Sequence, residues 1–387
     1  MMGNSAPRRR SALRDAVLTI LLLVTTRVQA SDPVFTGRAD PPDQLLSLWH
    51  ARPAGEWLEA VPVGNGRLGG MVYGGVTTER IGLNEDTLWS GGPKDCDNPQ
   101  AFKTLPEIRR LIFEGKYAEA HHLGKKMMGP YTQTCLPMGD LVLTFDIPSS
   151  SGPTEIRDYR RMPDLDRGVA GVRYTIDDVV YSREVFVSQP DQILVVRLTA
   201  SRPGTLGFTA RLASRLHFRT QAKDNVLVLR GKAPAHVDPN YYNSPNPIVY
   251  APTDDGEGMS FECHLRANAG EGTITVKDDA LRIEHAGSVT LLLSAATSFN
   301  GCNRSPGCQG KDPAPIAAGS LAAAAGKPSA SSPAASIPTS SAATRRFRWT
   351  ATSPSRPALP RCCFRVTPPT ARSTCFPPCP RPGPRDR

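Results

Sequence analysis

A succession of short strand patterns, each closed by turn residues, most constrains how this chain can fold. Residues 169–176 and 179–187 read as two strands joined through Asp177 and Asp178, which predicts a hairpin with a two-residue turn. Further strand patterns follow at 193–199, 206–212, 226–229, 261–267, 273–276, 281–284 and 289–295. Many short strands separated by turn residues predict an antiparallel β-sandwich and argue against repeated β-α-β units.

One insertion into this strand pattern is predicted to be helical. Thr104 and Glu107 have the spacing of a capping box, with Thr104 as the N-cap, and apolar residues then recur at helical intervals. A second helical segment is expected over residues 117–128. Within it, His121 and His122 point to different helix faces, so we interpret both as surface residues and not as joint metal ligands. The predicted fold class is therefore mainly β, a sandwich with a short two-helix insertion.

Composition divides the chain into four expected parts. Residues 1–30 combine a basic stretch, a nine-residue apolar run and a small-residue cleavage motif, which predicts a signal peptide and a secreted or periplasmic protein. The apolar run is too short for a stable membrane span. The sandwich is expected over residues 40–300, and the start of a helical linker over residues 301–328. Residues 329–387 are rich in proline, arginine and serine, which predicts disorder or translation of a shifted reading frame.

The net charge of +10 is concentrated outside the predicted sandwich. Residues 329–387 contribute +9 and residues 1–30 contribute +4, which leaves −3 on residues 31–328. The globular part is mildly acidic, so we expect no nucleic-acid partner.

Metal and cofactor sites are not expected. Cys302 and Cys308 could close a small loop or remain free thiols, but their spacing does not match a zinc site. The glycines of VGNGRLGG follow a strand pattern, yet another strand pattern comes next. A phosphate-binding loop needs a helix N-terminus at that point, so a nucleotide cofactor is not expected either.

Two glycine-rich polar loops within residues 61–93 are the candidate functional surface. Glycine costs chain entropy, so such clusters mark tight turns or backbone held close to another group. An aromatic ring beside acids and amides suits sugar stacking, and paired carboxylates carry out glycoside hydrolysis. The alternative is that the amides and acids cap turns while the tryptophan packs on the sandwich rim. We expect no catalytic residue here but a supporting role near a carbohydrate cleft for Asn65, Arg67, Asn84, Glu85, Asp86 and Trp89.

The chain resembles the N-terminal part of family-95 glycoside hydrolases, the α-L-fucosidases, over residues 45–327. The matching segments are LWHARPAGEWLEAVPVGNGRLGGMVYGG, ERIGLNEDTLWSGGP, LPEIRRLIFEGKYAEA, PMGDLVLTF, DYRRMPDLD, YSREVFVSQPDQILVVRLTA and LLLSAATSFNG. The resemblance implies a β-sandwich followed by a helical linker, an (α/α)6 barrel and a C-terminal β domain. It also implies inverting hydrolysis of terminal α-L-fucosyl linkages, with the catalytic groups in the barrel.

This resemblance ends near Pro328, where the composition changes. We therefore expect a fucosylated oligosaccharide or glycan as partner, no catalytic residue, and a chain that is inactive by itself. One alternative is a noncatalytic secreted sandwich that binds glycan or a protein partner. Another is a related hydrolase or phosphorylase that uses a similar N-terminal domain.

Overall fold

The computed structural model of the protein describes residues 33–42, 48–131, 133–147 and 153–326. The predicted signal peptide at 1–30 and the tail at 329–387 lie outside the described residues. The strands are β1 Val34–Thr36, β2 Val61–Gly64, β3 Leu68–Val72, β4 Thr78–Glu85, β5 Gly139–Phe145, β6 Glu155–Asp164, β7 Val169–Ile176, β8 Val179–Ser188, β9 Ile193–Ala200, β10 Leu206–Ala213, β11 His217–Lys223, β12 Val226–Lys232, β13 His236–Val237, β14 Ile248–Val249, β15 Ser260–Ala269, β16 Thr273–Lys277, β17 Ala280–Ala286 and β18 Ser288–Thr297. The helices are α1 Ala101–Phe113, α2 Tyr117–Gly124 and α3 Pro313–Ala325, with 3₁₀ turns at Trp57–Glu59 and Lys125–Met127.

Two large sheets form the sandwich. One has nine strands in the order β1-β6-β7-β8-β9-β18-β15-β12-β11, and the other has seven in the order β16-β17-β10-β5-β4-β3-β2. A small third sheet pairs β13 with β14. The predicted fold class, mainly β and antiparallel, is confirmed, although β1 pairs with β6 in parallel. The predicted hairpin is also present, with β7 and β8 joined at Asp177, whose φ of 50° lies in the left-handed region of the turn.

The main core lies between the two large sheets. Phe208 and Leu143 of the seven-stranded sheet and Phe261 and Leu291 of the nine-stranded sheet are fully buried in one apolar cluster. Burial of such side chains stabilises each by about 1.5–3 kcal/mol relative to exposure. Along most strands one face is buried and the next residue faces outward, which is why alternation in the sequence predicted them.

Helix α3 forms a second apolar layer on the outer face of the nine-stranded sheet. Leu321 and Ala324 of α3 pack against Ile193, Val195 and Leu292. Strand β9 is therefore buried on both faces, which accounts for its continuous apolar run. The alanine-rich connector is thus helical, and it is packed on the sandwich. Among the described residues, no helix is long and apolar enough to cross a bilayer.

The predicted start of the first helix is wrong. Helix α1 begins at Ala101, four residues before the predicted first residue Leu105, so Thr104 is not its N-cap and Pro106 lies inside the helix. Asn98 stabilises the turn that leads into the helix, because its side-chain oxygen accepts a hydrogen bond from the backbone N–H of Gln100 at 2.9 Å. The Thr104 hydroxyl donates back to the Gln100 carbonyl at 3.3 Å, as hydroxyls inside helices do. His121 and His122 are both exposed, as predicted.

The five described cysteines are free thiols, so Cys302 and Cys308 do not close a loop with each other. Cys263 is buried in the main core, and this burial raises the pKa of its thiol far above the usual range. It therefore acts as a small apolar side chain.

Candidate functional site

Asn65 is committed to the turn between β2 and β3. Its side-chain oxygen accepts hydrogen bonds from the backbone N–H groups of Arg67 at 3.0 Å and Leu68 at 2.9 Å. Its amide nitrogen donates to the Ser188 carbonyl at 3.1 Å, which ties this turn to the other sheet. Gly66 has a φ of 94°, a conformation that glycine adopts without strain. These contacts make Asn65 a structural residue of the loop.

Arg67 joins the two sheets beside this turn. Its Nε donates to Gln192 Oε1 at 2.7 Å, and its Nη2 donates to the Gln192 carbonyl at 3.1 Å. Its Nη1 donates to the Ala295 carbonyl at 2.9 Å and to Glu85 Oε1 at 3.0 Å. Four of the five N–H donors of the guanidinium are accounted for by these bonds. Arg67 therefore acts as a clamp between the start of β3, the end of β4 and the strand ends at Gln192 and Ala295 of the nine-stranded sheet.

Glu85 is buried behind the loop and has both carboxylate oxygens occupied. Oε1 accepts from Arg67, and Oε2 accepts from the backbone N–H of Thr87 at 2.9 Å and from its hydroxyl at 2.6 Å. The Thr87 hydroxyl also bonds the hydroxyl of Thr297 in β18. A carboxylate held in this way shapes the loop and is not free to receive a substrate.

Asn84 at the end of β4 and Asp86 and Trp89 in the following loop are the exposed residues of this segment. The indole N–H of Trp89 donates to the Asp86 carbonyl at 2.9 Å, which fixes the ring on the loop backbone. The pKa of the Asp86 carboxyl is raised to about 6, first by lost hydration and then by the neighbouring Glu85, while Arg67 lowers it in part. An exposed acid with such a pKa can accept or donate a hydrogen bond near neutral pH.

Two distant segments complete this surface, and sequence reasoning missed both. Trp89 forms a β-bridge with Cys135, and the Ser90 hydroxyl accepts a hydrogen bond from the backbone N–H of Thr134 at 2.9 Å. The Thr134 hydroxyl donates to the Val237 carbonyl at 3.1 Å. Neither segment shows helical or strand periodicity in the sequence. Their richness in proline, tyrosine and polar residues is the signal that could have identified them.

A polar chain lies next to these segments. Lys94 Nζ is 2.9 Å from His236 Nδ1, and His236 Nε2 is 2.8 Å from Asp238 Oδ1. The hydrogen bond from His236, followed by one from Ser244, holds the pKa of Asp238 below its usual value. In the part of the chain that the structure describes, no group of three or more histidine, cysteine, aspartate or glutamate residues is placed to hold a metal ion.

The glycines of the loops serve close packing, as expected. A Cβ at Gly70 would lie 2.8 Å from Leu194 Cδ1, so the absence of a side chain lets β3 approach the nine-stranded sheet. Gly91 has a φ of 66°, and a Cβ there would lie 2.7 Å from the Ala235 carbonyl oxygen. Both positions therefore need glycine for backbone placement.

Known proteins resemble this chain over the sandwich. The protein-family model described as "Glycosyl hydrolase family 65, N-terminal domain" matches residues 48–302. "Alpha-L-fucosidase 2" of Arabidopsis thaliana is 38% identical over 261 residues, which cover 66% of this chain and 31% of that protein. "Probable alpha-fucosidase A" of Aspergillus niger is 34% identical over 185 residues, which cover 45% and 22%. Its Aspergillus oryzae namesake is 25% identical over 288 residues, which cover 69% and 36%. The chain thus spans between about a fifth and a third of the length of these relatives.

Proposed function

The chain belongs to the glycosyl hydrolase family defined by the family-65 type of N-terminal domain, and from that premise we propose that it forms part of an α-L-fucosidase. The substrate class is a glycan with terminal α-linked fucose. The observation that carries this proposal is the 38% identity over 261 residues with a relative named as an α-L-fucosidase. The sandwich is the N-terminal portion of such an enzyme.

The role proposed for the sandwich is to support a glycan and not to cleave it. Inverting hydrolysis needs a carboxylic acid and a carboxylate about 6.5–9.5 Å apart, with room for a water molecule. Asp86 has a suitable pKa of about 6, but the adjacent Glu85 is buried and holds Arg67 and Thr87. We therefore propose that the chain has no fucosidase activity by itself.

Three exposed side chains are proposed to face the glycan. Trp89 offers an indole ring whose N–H is already bound to the Asp86 carbonyl, so its face is available for stacking on a sugar ring. Asn84 and Asp86 are exposed polar residues of the same segment. Arg67, Glu85 and Asn65 hold the loop in place from behind.

The catalytic proposal is tested with purified residues 31–387 and 2′-fucosyllactose. We expect no fucose release above a buffer blank over a long incubation, because the acid–base pair is incomplete at this loop. Measurable release that is abolished by Asp86→Asn would overturn the proposal and would make Asp86 a catalytic acid.

The binding proposal is tested by calorimetric titration with the same sugar. Trp89→Ala should weaken saturable binding, since stacking on an aromatic ring is lost. Trp57→Ala is the matched control, because Trp57 is 58% exposed and precedes β2, at the end of the strands opposite the Trp89 loop. Equal loss in both variants, or no loss in Trp89→Ala, would contradict a glycan-facing role for this loop.

A noncatalytic secreted sandwich is the second candidate function. The exposed and anchored Trp89 ring favours it as well, since the ring would bind glycan without any catalytic partner. Saturable binding with no activity after addition of the remaining enzyme domains in trans would favour this candidate.

Export to the periplasm or the cell exterior is also proposed, supported by the sequence of residues 1–30. N-terminal sequencing of the exported chain should begin at Ser31.

A further inference from the structure

A cleft lies on the outer face of the nine-stranded sheet, between the β11–β12 edge and the start of α3. Its larger cavity has a volume of about 600 Å³, and an adjoining one has about 400 Å³. Arg219, Arg230 and Glu262 line both cavities, so the two are parts of one groove. We call it the cationic cleft, defined by these three residues with Lys232 and Lys311. Volumes of about 300–1,000 Å³ are typical of small-molecule sites.

The floor of the cationic cleft is a buried polar group on the outer face of a sheet. The Glu262 side chain is 2% exposed, and its Oε1 accepts hydrogen bonds from Arg230. Its Oε2 bonds His264 Nε2 at 2.7 Å, and His264 is itself buried. Because Glu262 fixes Arg230 through Nε and Nη2, the guanidinium is held in one orientation with N–H donors left over. Such a positioned cation is a preformed element of a binding site.

A second arginine stands beside the first without compensation. Arg219 in β11 is directly opposite Arg230 in β12, and Arg230 is directly opposite Glu262 in β15. Like charges in directly opposite positions destabilise a sheet. Glu262 neutralises only Arg230, and the Arg219 side chain forms no hydrogen bond or ion pair with any described residue. An anion bound between the two guanidinium groups would remove this repulsion.

Of the other charged groups that line the two cavities, Lys232 and Asp312 are already committed to protein groups. Lys223 and Lys311 add positive charge to the lining, and the Asp254 carboxylate adds a negative charge that interacts with Lys232. Lys232 Nζ donates to the Asp254 carbonyl at 2.7 Å. The Asp312 carboxylate accepts from the backbone N–H of Ala314 at 3.0 Å and so caps α3. This cap and the prolines in the first turn leave the helix terminus few free N–H groups, so the arginines are the better anion donors.

An aromatic wall accompanies the charges. His217, which lines the cationic cleft, stacks on Tyr250 with ring centroids 3.5 Å apart and planes 7° apart. Rings of this kind bind the apolar face of a sugar, while paired guanidinium groups bind carboxylate or sulfate through parallel hydrogen bonds. We propose that the cationic cleft binds an oxyanion carried on a pyranose ring, with Arg219 and Arg230 as the binding pair. The oxyanion is the carboxylate of a uronic acid or a sulfate ester.

The probes for this site are D-glucuronate, glucose 6-sulfate, D-glucose and inorganic sulfate, titrated into the full chain at low ionic strength. Saturable binding of D-glucuronate supports the carboxylate source, and saturable binding of glucose 6-sulfate supports the ester. D-glucose should not bind here, because it lacks the charge. Binding of inorganic sulfate alone would indicate an adventitious ion only and would overturn the proposal.

Two variants and one control locate the binding. Arg219→Ala should lower the association constant about ten-fold or more, because a charge-assisted hydrogen bond is lost. Arg219→Lys should recover part of it, since lysine keeps the charge but not the planar fork. Arg211→Ala is the control, an exposed arginine of β10 in the other sheet that pairs with Asp279.

Folding is not at risk in these variants, because Arg219 is exposed on an edge strand; the melting temperature of each verifies this. Unchanged affinity in Arg219→Ala, or equal losses in Arg219→Ala and Arg211→Ala, would overturn the proposal. The proposal would also be overturned if Arg219→Ala lowered the melting temperature and neither anionic sugar bound the full chain. That result would mean that the Arg219 guanidinium stabilises the fold by contacting protein groups. The site is independent of Trp89, so Trp89→Ala should leave glucuronate affinity unchanged.

Discussion

Replacing Arg67 by alanine should destabilise the sandwich, and it should weaken binding by the exposed Trp89 loop only by loosening that loop. Arg67 donates to Gln192, to the Ala295 carbonyl and to Glu85, all of which are groups of the sandwich itself. The Glu85 side chain is 4% exposed, so the variant leaves a buried carboxylate that keeps only its hydrogen bonds from Thr87. The expected effect is therefore on the free energy of unfolding.

The magnitude follows from the burial of the pair. Breaking a fully buried ion pair by removing one partner costs about 3–5 kcal/mol. The Arg67 side chain is 29% exposed, so water replaces part of what is lost, and we expect about 2–4 kcal/mol. Unfolding entropy of about 2.1 cal/mol/K per residue gives ~0.6 kcal/mol/K for a body of roughly 280 residues. The melting temperature should then fall by about 3–7 °C.

Calorimetry and urea unfolding of the full chain measure this loss. The double variant Arg67→Ala, Glu85→Gln should be more stable than Arg67→Ala alone, because no buried charge is left without a partner. Arg157→Ala is the control, since Arg157 pairs with the exposed Asp178 at the surface and should cost less than about 1 kcal/mol. A melting temperature unchanged in Arg67→Ala, together with lost glycan binding, would refute the structural role and make Arg67 a ligand contact.

Three further outcomes are expected. Glu79→Gln should cost about 3–5 kcal/mol, because Glu79 and Arg183 form a fully buried pair between the sheets. The double variant Glu79→Leu with Arg183→Met should regain only part of this in urea unfolding, because it removes both buried charges but leaves the backbone N–H of Gly74 without its Glu79 acceptor. No regain would refute this account. The pKa of Asp86 is raised to about 6 in the fold, so the folded state binds more protons than the unfolded chain between about pH 4 and 6. Stability should thus fall as pH rises through this window, and Asp86→Asn should remove that component; an NMR titration midpoint near 4 would contradict it. Gly70→Ala should cost about 1–3 kcal/mol by crowding Leu194, and Leu194→Val should relieve it; a neutral Gly70→Ala would show that β3 can move away.

Local patterns in the sequence were sufficient for much of the fold. The hairpin of β7 and β8 was predicted to within one residue, because alternation and turn residues are both contained in its own twenty residues. The start of α1 was not, because the fold places the N-cap at Gln100, whose side chain makes no cap hydrogen bond, and Asn98 instead binds the Gln100 backbone N–H. A short-range signal can thus identify an element without fixing its first residue.

The partners of the candidate residues could not be predicted in the same way. Arg67 contacts Gln192 and Ala295, which are 125 and 228 residues away along the chain. Glu85 is likewise linked through Thr87 to Thr297, which lies 210 residues from Thr87 along the chain. The spacing of polar residues around glycines indicated a special loop, but only the pairing of the two sheets decides which side chains turn inward. Asn84, Asp86 and Trp89 are the ones left outside.

The buried residues of this loop matter to binding through rigidity. An aromatic ring that must be ordered on binding loses free energy to conformational entropy, about 0.5–1.5 kcal/mol for a flexible side chain. Here the Trp89 ring is held by its hydrogen bond to the Asp86 carbonyl, and the Asp86 backbone N–H in turn donates to the Arg67 carbonyl at 2.9 Å. Arg67 is itself clamped to the other sheet. The order of the sandwich core is thereby transmitted to an exposed ring, which is how residues that contact no ligand can still set its affinity.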